Sequence, residues 1–170
     1  MNKLFFLILL SFVLTQNCLA LSSDKNKPIE LEADSADIDD QNGISIYRGK
    51  VILTQGSTQL NAQKLTIYHD KNHKLIKIVA EGSPARYKQT PDGQKKDVKA
   101  KASKLIYYSK KDLIHLYDNA LLWQGKNSFR GDKIIYDTKR DIVKASSKKT
   151  SDGKVISSGR VKVTILPEKK

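Results

Sequence analysis

Ile29-Glu30-Leu31-Glu32-Ala33 alternates apolar and acidic side chains, the two-residue period of a half-buried strand. Asp37-Ile38-Asp39-Asp40-Gln41-Asn42-Gly43 follows with turn chemistry, its Asn-Gly pair offering the positive φ that a tight hairpin needs. Ile44-Ser45-Ile46-Tyr47 opens a second strand that runs into Arg48 to Tyr68, a stretch that predicts two strands around Gln55-Gly56. Ile44 and Ile46 are even-numbered, whereas Val51 and Leu53 are odd. A one-residue slip turns every side chain to the other face, so the shift predicts a bulge near Gly49. Leu60 and Ala62 against Leu65 and Ile67 predict another around Gln63-Lys64.

Beyond a turn at His69 to His73, Leu75 to Ala80 and Ala85 to Gln89 read as separate strands divided by Glu81-Gly82-Ser83-Pro84. Thr90-Pro91-Asp92-Gly93 is a strong turn, and a polar run to Lys101 precedes a strand from Ala102 to Tyr108. Leu113 to Leu116 and Ala120 to Gln124 continue the series. A Ser/Lys/Gly-rich loop spans Ser146 to Lys154, before Val155-Ile156 and a last strand at Val161 to Ile165. No segment past residue 21 has helical apolar spacing with caps. Short strands at close spacing predict an all-β sheet, barrel or roll.

The pattern also repeats. Gln55-Gly56 maps onto Gln124-Gly125, Leu53 onto Leu122, Leu60 onto Phe129, and Lys64-Leu65 onto Lys133-Ile134. Ala/Gly-x-Lys-Leu/Ile occurs three times, starting at Ala62, Ala102 and Gly131. A duplicated strand-turn-strand unit is first a statement about architecture.

The N-terminus changes this picture. Met1-Asn2-Lys3 is a short positive head, and Leu4 to Leu14 is apolar apart from Ser11. Cys18-Leu19-Ala20 then presents small residues where a signal peptidase reads them. The apolar run is shorter than the ~20 residues that span a bilayer. Residues 1–20 are therefore expected to be a signal peptide cleaved after Ala20, residues 21–27 a flexible leader, 28–167 the folded domain and 168–170 a basic tail. Acylation at Cys18 is the weaker reading, because Asn17 and Thr15 stand where small and Leu-like residues would be expected. Cys18 is the sole cysteine, so the cleaved chain has no disulfide and no thiol chemistry. The net charge of +13 favours an anionic partner, against the alternative of a solubilising lysine coat.

Candidate chemistry is sparse. His69 and His73 lie four apart in a turn rather than on a helix, with no Cys or Glu to complete a metal site. Asp34, Asp37, Asp39 and Asp40 lack the spacing of a calcium loop. There is no nucleophile elbow, phosphate-binding loop or dinucleotide fingerprint. A carboxylate pair meeting in the fold would revive a polysaccharide-active enzyme, but most of the 18 acidic residues sit in expected turns. No catalytic residue, metal or cofactor is expected. Tyr87, Tyr107, Tyr108, Tyr117, Trp123 and Phe129 interleave with lysines as in a platform for single-stranded nucleic acid. Export favours ordinary strand aromatics instead, so nucleic acid is not an expected partner.

Five segments in order carry a resemblance: Pro28-Ile29-Glu30-Leu31-Glu32-Ala33-Asp34; Gly49-Lys50-Val51-x-Leu53-x-Gln55-Gly56; Gly82-Ser83-Pro84-Ala85-x-Tyr87-x-Gln89; Asn119-Ala120-x-Leu122-x-Gln124-Gly125; and Gly131-Asp132-Lys133-Ile134-x-Tyr136. Over 28–167 the chain resembles the LptA-like family of periplasmic lipopolysaccharide-transport proteins, with the OstA-like fold. It departs from the family pattern at Lys50, Gln63 and Asp118. The resemblance implies an open, twisted antiparallel β-jelly roll in the periplasm. It also implies a bridge that carries lipopolysaccharide from inner to outer membrane, powered by an ATPase elsewhere. Implied partners are the lipid A portion of lipopolysaccharide, LptC and LptD through β-augmentation, and further copies stacked head to tail. Alternation then points Ile29, Leu31, Val51, Leu53, Leu65, Ile67, Tyr87, Tyr107, Leu122 and Phe129 inward as the expected lipid-binding wall. Ile29, Leu31 and Tyr87 fall on family positions that line the groove. The plainer alternative is that these residues only pack against one another. The alternative functions are an LptC-like component of the same bridge, or a structural β adaptor that binds no lipid.

Overall fold

The computed structural model describes residues 23–91, 96–147 and 160–167. The expected signal peptide, the Val155-Ile156 strand and the basic tail lie outside the described residues. Within them the chain forms ten strands: β1 (Glu30–Glu32), β2 (Ser35–Asp39), β3 (Ile44–Gln55), β4 (Thr58–His69), β5 (Leu75–Gln89), β6 (Val98–Tyr108), β7 (Leu113–Gln124), β8 (Asn127–Asp137), β9 (Ile142–Ser146) and β10 (Lys162–Thr164). All belong to one antiparallel sheet in the order β1-β3-β4-β5-β6-β7-β8-β10, with β2 beside β3 and β9 beside β8. The end strands do not pair with each other, so the sheet stays open. Gly43, Gly56 and Gly125 all have positive φ, as the Asn-Gly and Gln-Gly turns require.

The long strands are bent at one level. Register shifts fall between Arg48 and Val51 in β3, Asn61 and Lys64 in β4, Glu81 and Ala85 in β5, Lys101 and Lys104 in β6, and Tyr117 and Ala120 in β7. Gly49 and Lys50 are left-handed at the first of these, and Asp118 and Asn119 at the last. A bulge bends its strand and increases the local twist. Bulges aligned across neighbouring strands fold the whole sheet along one line. Its two halves then enclose a single apolar cluster, to which residues from both sides of the line contribute.

Both predicted bulges are present, but the reason differs at Gly49. Ser45 and Tyr47 are the inward residues of β3, in register with Ile67 and Leu65, while Ile44 and Ile46 occupy the other face. Glu81 to Pro84 is a bulge inside one continuous strand rather than a turn between two, and residues 117–119 likewise interrupt β7 without ending it. Asp37 to Asp39 belong to β2, fully on the surface, instead of to a turn; Arg48 pairs with Asp37 there. The polar run before residue 102 is already strand, because Val98 and Ala100 are buried in the cluster between exposed lysines. Residues 23–26, which composition assigns to a leader, form one turn of 3-10 helix.

The three Ala/Gly-x-Lys-Leu/Ile copies now have a common cause. Each sits on an even-numbered strand at the fold line, with its Leu65, Leu105 or Ile134 fully buried. The small residue lies beside the bulge, and at Gly131 neighbouring backbone comes close: a Cβ there would meet the Ser146 carbonyl oxygen of the adjacent strand β9 at 2.9 Å. The lysines point the other way, and Lys104 reaches Glu81 at 3.1 Å. Leu116, with no exposed surface, faces the cluster from β7. Leu116→Ala should cost about 2–5 kcal/mol of stability in urea unfolding, the range for emptying a rigid core position.

Candidate functional site: an apolar interior closed by a polar seam

One row of side chains crosses the inner face from edge to edge. Leu31, Leu53, Leu60, Tyr87, Ala100, Leu122, Phe129 and Val163 are successive register partners. Five of the ten expected wall residues stand in it. On the other side of the fold line, Tyr47, Leu65, Ala80, Leu105, Leu116, Ile134 and Ala145 form a facing row. A third row holds Ile67, Ile78, Tyr107, Ile114, Tyr136 and Val143. Val51 sits beside the fold, paired with Ala62.

Nine of the ten expected residues therefore share one cluster, with Leu31, Tyr107 and Phe129 at its partly covered rim. Ile29 does not. It precedes β1, is 41% exposed and lies outside the cluster, so its expected inward placement is corrected. The strict alternation that pointed it inward does not extend beyond the three residues of β1 that pair with β3. Expectation also missed Leu105, Ile134 and Tyr136, although the internal repeats align the first two with Leu65. Val98, Ala100 and Ala102 were hidden by the lysines between them.

Opposite the fold line the strand ends form a mouth, and it is polar. The odd-numbered strands β3, β5 and β7 each end in glutamine: Gln55, Gln89 and Gln124. Gln55 Nε2 donates to the Lys27 carbonyl oxygen at 3.1 Å, and Gln89 Nε2 to Asp24 at 3.4 Å. Gln124 Nε2 donates to Asp141 Oδ1 at 2.6 Å. The last bond joins the lower end of β7 to the turn after the upper end of β8, so it spans the mouth directly. Tyr136, from the interior, donates its hydroxyl to the same Asp141 oxygen at 2.8 Å. Burial, then the bond to Asp141, push the Tyr136 phenol above its ordinary value, so it remains a neutral donor. Burial does the same to Tyr87, whose hydroxyl donates to Gln89 Oε1 at 2.7 Å, and pushes Tyr107 up to about 12.

Asp24 anchors the other end of the seam. It accepts from Ser57 N at 2.8 Å and from Ser57 Oγ at 2.6 Å, holding the 3-10 turn on the β3–β4 hairpin. Among the described residues no group of three or more His, Cys, Asp or Glu side chains could hold a metal ion. What the described residues assemble here is an apolar interior between two walls, with hydrogen bonds along one opening.

Residues 30–142 match the family described as "LptA/(LptD N-terminal domain) LPS transport protein". The chain is 40% identical over 154 residues to the lipopolysaccharide export system protein LptH of Pseudomonas aeruginosa, covering 89% of this chain and 86% of that one. It is 33% identical over 131 residues to LptA of Escherichia coli, covering 76% and 70%. The crystal structure of the Pseudomonas LptH, described as the LptA homologous periplasmic component of the lipopolysaccharide transport device, superposes with a TM-score of 0.75 at 38% identity. That match covers 85% of this chain and 99% of the other.

The seam carries a pH signature. Burial tends to raise the Asp24 pKa, but the bonds from Ser57, Gln89 and Thr58 outweigh it and leave the carboxyl below its ordinary 3.8. A depressed folded-state pKa adds stability that is complete above the unfolded value and is lost as pH falls through the folded one. In urea titrations the stability advantage of the parent over Asp24→Ala should be constant at neutral pH and shrink below about pH 4.

Proposed function

Because the chain belongs to the LptA/LptD N-terminal-domain family of lipopolysaccharide-transport proteins, we propose that it carries lipopolysaccharide by holding the acyl chains between the two halves of its folded sheet. The observation that supports this most is the uninterrupted apolar row from Leu31 on one edge to Val163 on the other. A lipid lying along it would stay on apolar surface throughout and meet solvent at the β10 edge, where Val163 is 49% exposed.

The interior is packed in the free protein, with Leu65, Leu105, Leu116, Leu122 and Ile134 fully buried. Loading therefore requires the halves to part, and the mouth is where they are held by the fewest bonds. An acyl chain of about ten methylenes gains ~8 kcal/mol on leaving water, at ~0.8 kcal/mol per methylene. Releasing the Gln124–Asp141 bond, the glutamine contact that crosses between the halves, costs roughly 1–1.5 kcal/mol when its partners find water instead. The lipid term is the larger, so the seam closes an empty interior without preventing its filling.

Transfer along a bridge uses the edges. Among the described residues β1 and β2 pair only with β3, and β9 and β10 only with β8, which leaves strand backbone there without a described partner at both ends. Such edges accept further strands. LptC at one edge, LptD at the other and copies of this chain between them would continue the apolar row from domain to domain. Export to the periplasm by cleavage after Ala20 fits that route, and no catalytic step is required.

Photoreactive side chains at Leu31, Tyr87 and Leu122 should crosslink to lipopolysaccharide in the periplasm, whereas one at outward Glu30 should not. Labelling from Glu30 with none from the three interior positions would contradict the proposal.

A further inference from the structure

The sheet has a second working face. On its outer side below the fold line, Asn61, Arg86, Lys101, Leu121, Arg130 and Lys162 are successive register partners. Next to them Gln59, Lys88, Lys99 and Trp123 form a parallel row, close to the mouth. A cavity of about 610 Å³ opens between these rows, within the size of small-ligand sites. Arg86, Lys88 and Lys99 line it, and all three are exposed.

These cations differ from those above the fold line. There Lys64 and Lys104 flank Glu81, at 4.0 and 3.1 Å, and Lys77 and Lys133 lie over the Tyr68 and Tyr117 rings. Among the described residues, Arg86, Lys88 and Lys99 take part in no comparable ion pair or ring contact. Three like charges converge on one hollow, and such an arrangement favours an anion. Arg86 adds a planar fork suited to phosphate oxygens.

The remaining lining is not that of a bare phosphate site. Trp123 is half-buried, with Lys101 Nζ 5.8 Å from its ring centre, and it offers an apolar ring beside the charges. Gln59, Asn61 and the Asp97 carboxylate add amide donors and acceptors. A carboxylate would repel a naked anion but accepts hydrogen bonds from hydroxyl groups. An aromatic platform, hydroxyl acceptors and unpaired cations together fit a sugar that carries phosphate.

We propose that this outer hollow binds the phosphorylated saccharide of a glycolipid whose acyl chains occupy the interior. The proposal rests on the lipid-carrier reading and adds the recognition of the headgroup to it. Gln59, Lys88, Lys99 and Trp123 each lie one or two residues from a strand end at the mouth. A headgroup emerging there reaches the hollow by turning over the lip. The interior then selects for acyl chains and the outer face for phosphorylated sugar.

Trp123 is the only tryptophan, so its emission reports the site directly. The exported protein is titrated with a bisphosphorylated glucosamine disaccharide without acyl chains, with the same disaccharide lacking phosphate, and with inorganic phosphate. The phosphorylated disaccharide should shift the emission saturably and bind about tenfold or more tighter than the neutral one, with the preference weakening as salt rises. Inorganic phosphate should not reproduce the shift. Arg86→Gln/Lys88→Gln/Lys99→Gln should abolish the preference, and Trp123→Phe, followed by calorimetry, should retain it. Equal binding of the two disaccharides, a full shift with phosphate alone, or no binding by either method overturns the proposal. Photo-crosslinking from Leu122 in the triple variant separates the two readings. Interior labelling that persists while the disaccharide fails removes only the outer site, whereas disaccharide binding without interior labelling removes the carrier reading and leaves the outer site standing.

Discussion

The structure depends on the line of bulges that crosses β3 to β7. A flat ten-stranded antiparallel sheet would expose one apolar face to water, because no α-helix or second sheet is present among the described residues to cover it. Folding that sheet on itself lets the face cover itself. The bulges supply the bend, and each must fall at the same level or the strands would part company along the fold. Left-handed backbone at Gly49, Lys50, Asp118 and Asn119 marks where this constraint is met. Asp and Asn tolerate that conformation better than most side-chain-bearing residues. The repeated Ala or Gly stands beside the same line, and at Gly131 a Cβ would already press on Ser146 of the neighbouring strand β9.

A core made this way differs from an ordinary sandwich core. Its two walls are joined along one side by covalent strand and along the other by side-chain hydrogen bonds alone. Opening it means straining the bulges and releasing Gln124 from Asp141, without separating any pair of strands. The sheet hydrogen bonds, which are the majority of the backbone's polar satisfaction, stay intact throughout. On the lipid-carrier proposal, that mechanical asymmetry is what opens the apolar core to lipid. It also leaves the sheet edges free, so the interior is continuous with whatever strand pairs there. Charges divide as well: above the fold line Lys64 and Lys104 flank Glu81 and Lys77 and Lys133 lie over aromatic rings, whereas below it Arg86, Lys88 and Lys99 converge on the outer hollow.

Much of this was legible in the sequence. Alternation located the inner wall because each strand half has one buried face, and nine of ten expected residues reached the cluster. The repeats located the fold line without revealing what it was. Errors arose where a local signal was overridden by pairing. Gly82-Ser83-Pro84 has the composition of a turn, yet the flanking residues of β5 keep their partners on β6 and the strand continues. Ile44 and Ile46 are apolar but face outward, because the register with β4 gives the inner positions to Ser45 and Tyr47. The glutamine seam was not legible at all, since the link from Gln124 to Asp141 exists only once the sheet has folded. No sequence period encodes a contact between opposite ends of adjacent strands.

The central claim is that the two halves part at the mouth to admit lipid. Spin labels at Lys126, in the β7–β8 turn, and at Lys139, in the β8–β9 turn, sit on opposite lips and are both exposed. Their separation can be measured by electron paramagnetic resonance with and without lipopolysaccharide. The account predicts a longer distance, by several ångströms, when lipid is bound, because a chain about 4–5 Å thick must fit between walls that are already at packing density. An unchanged distance with lipid fully bound would contradict it.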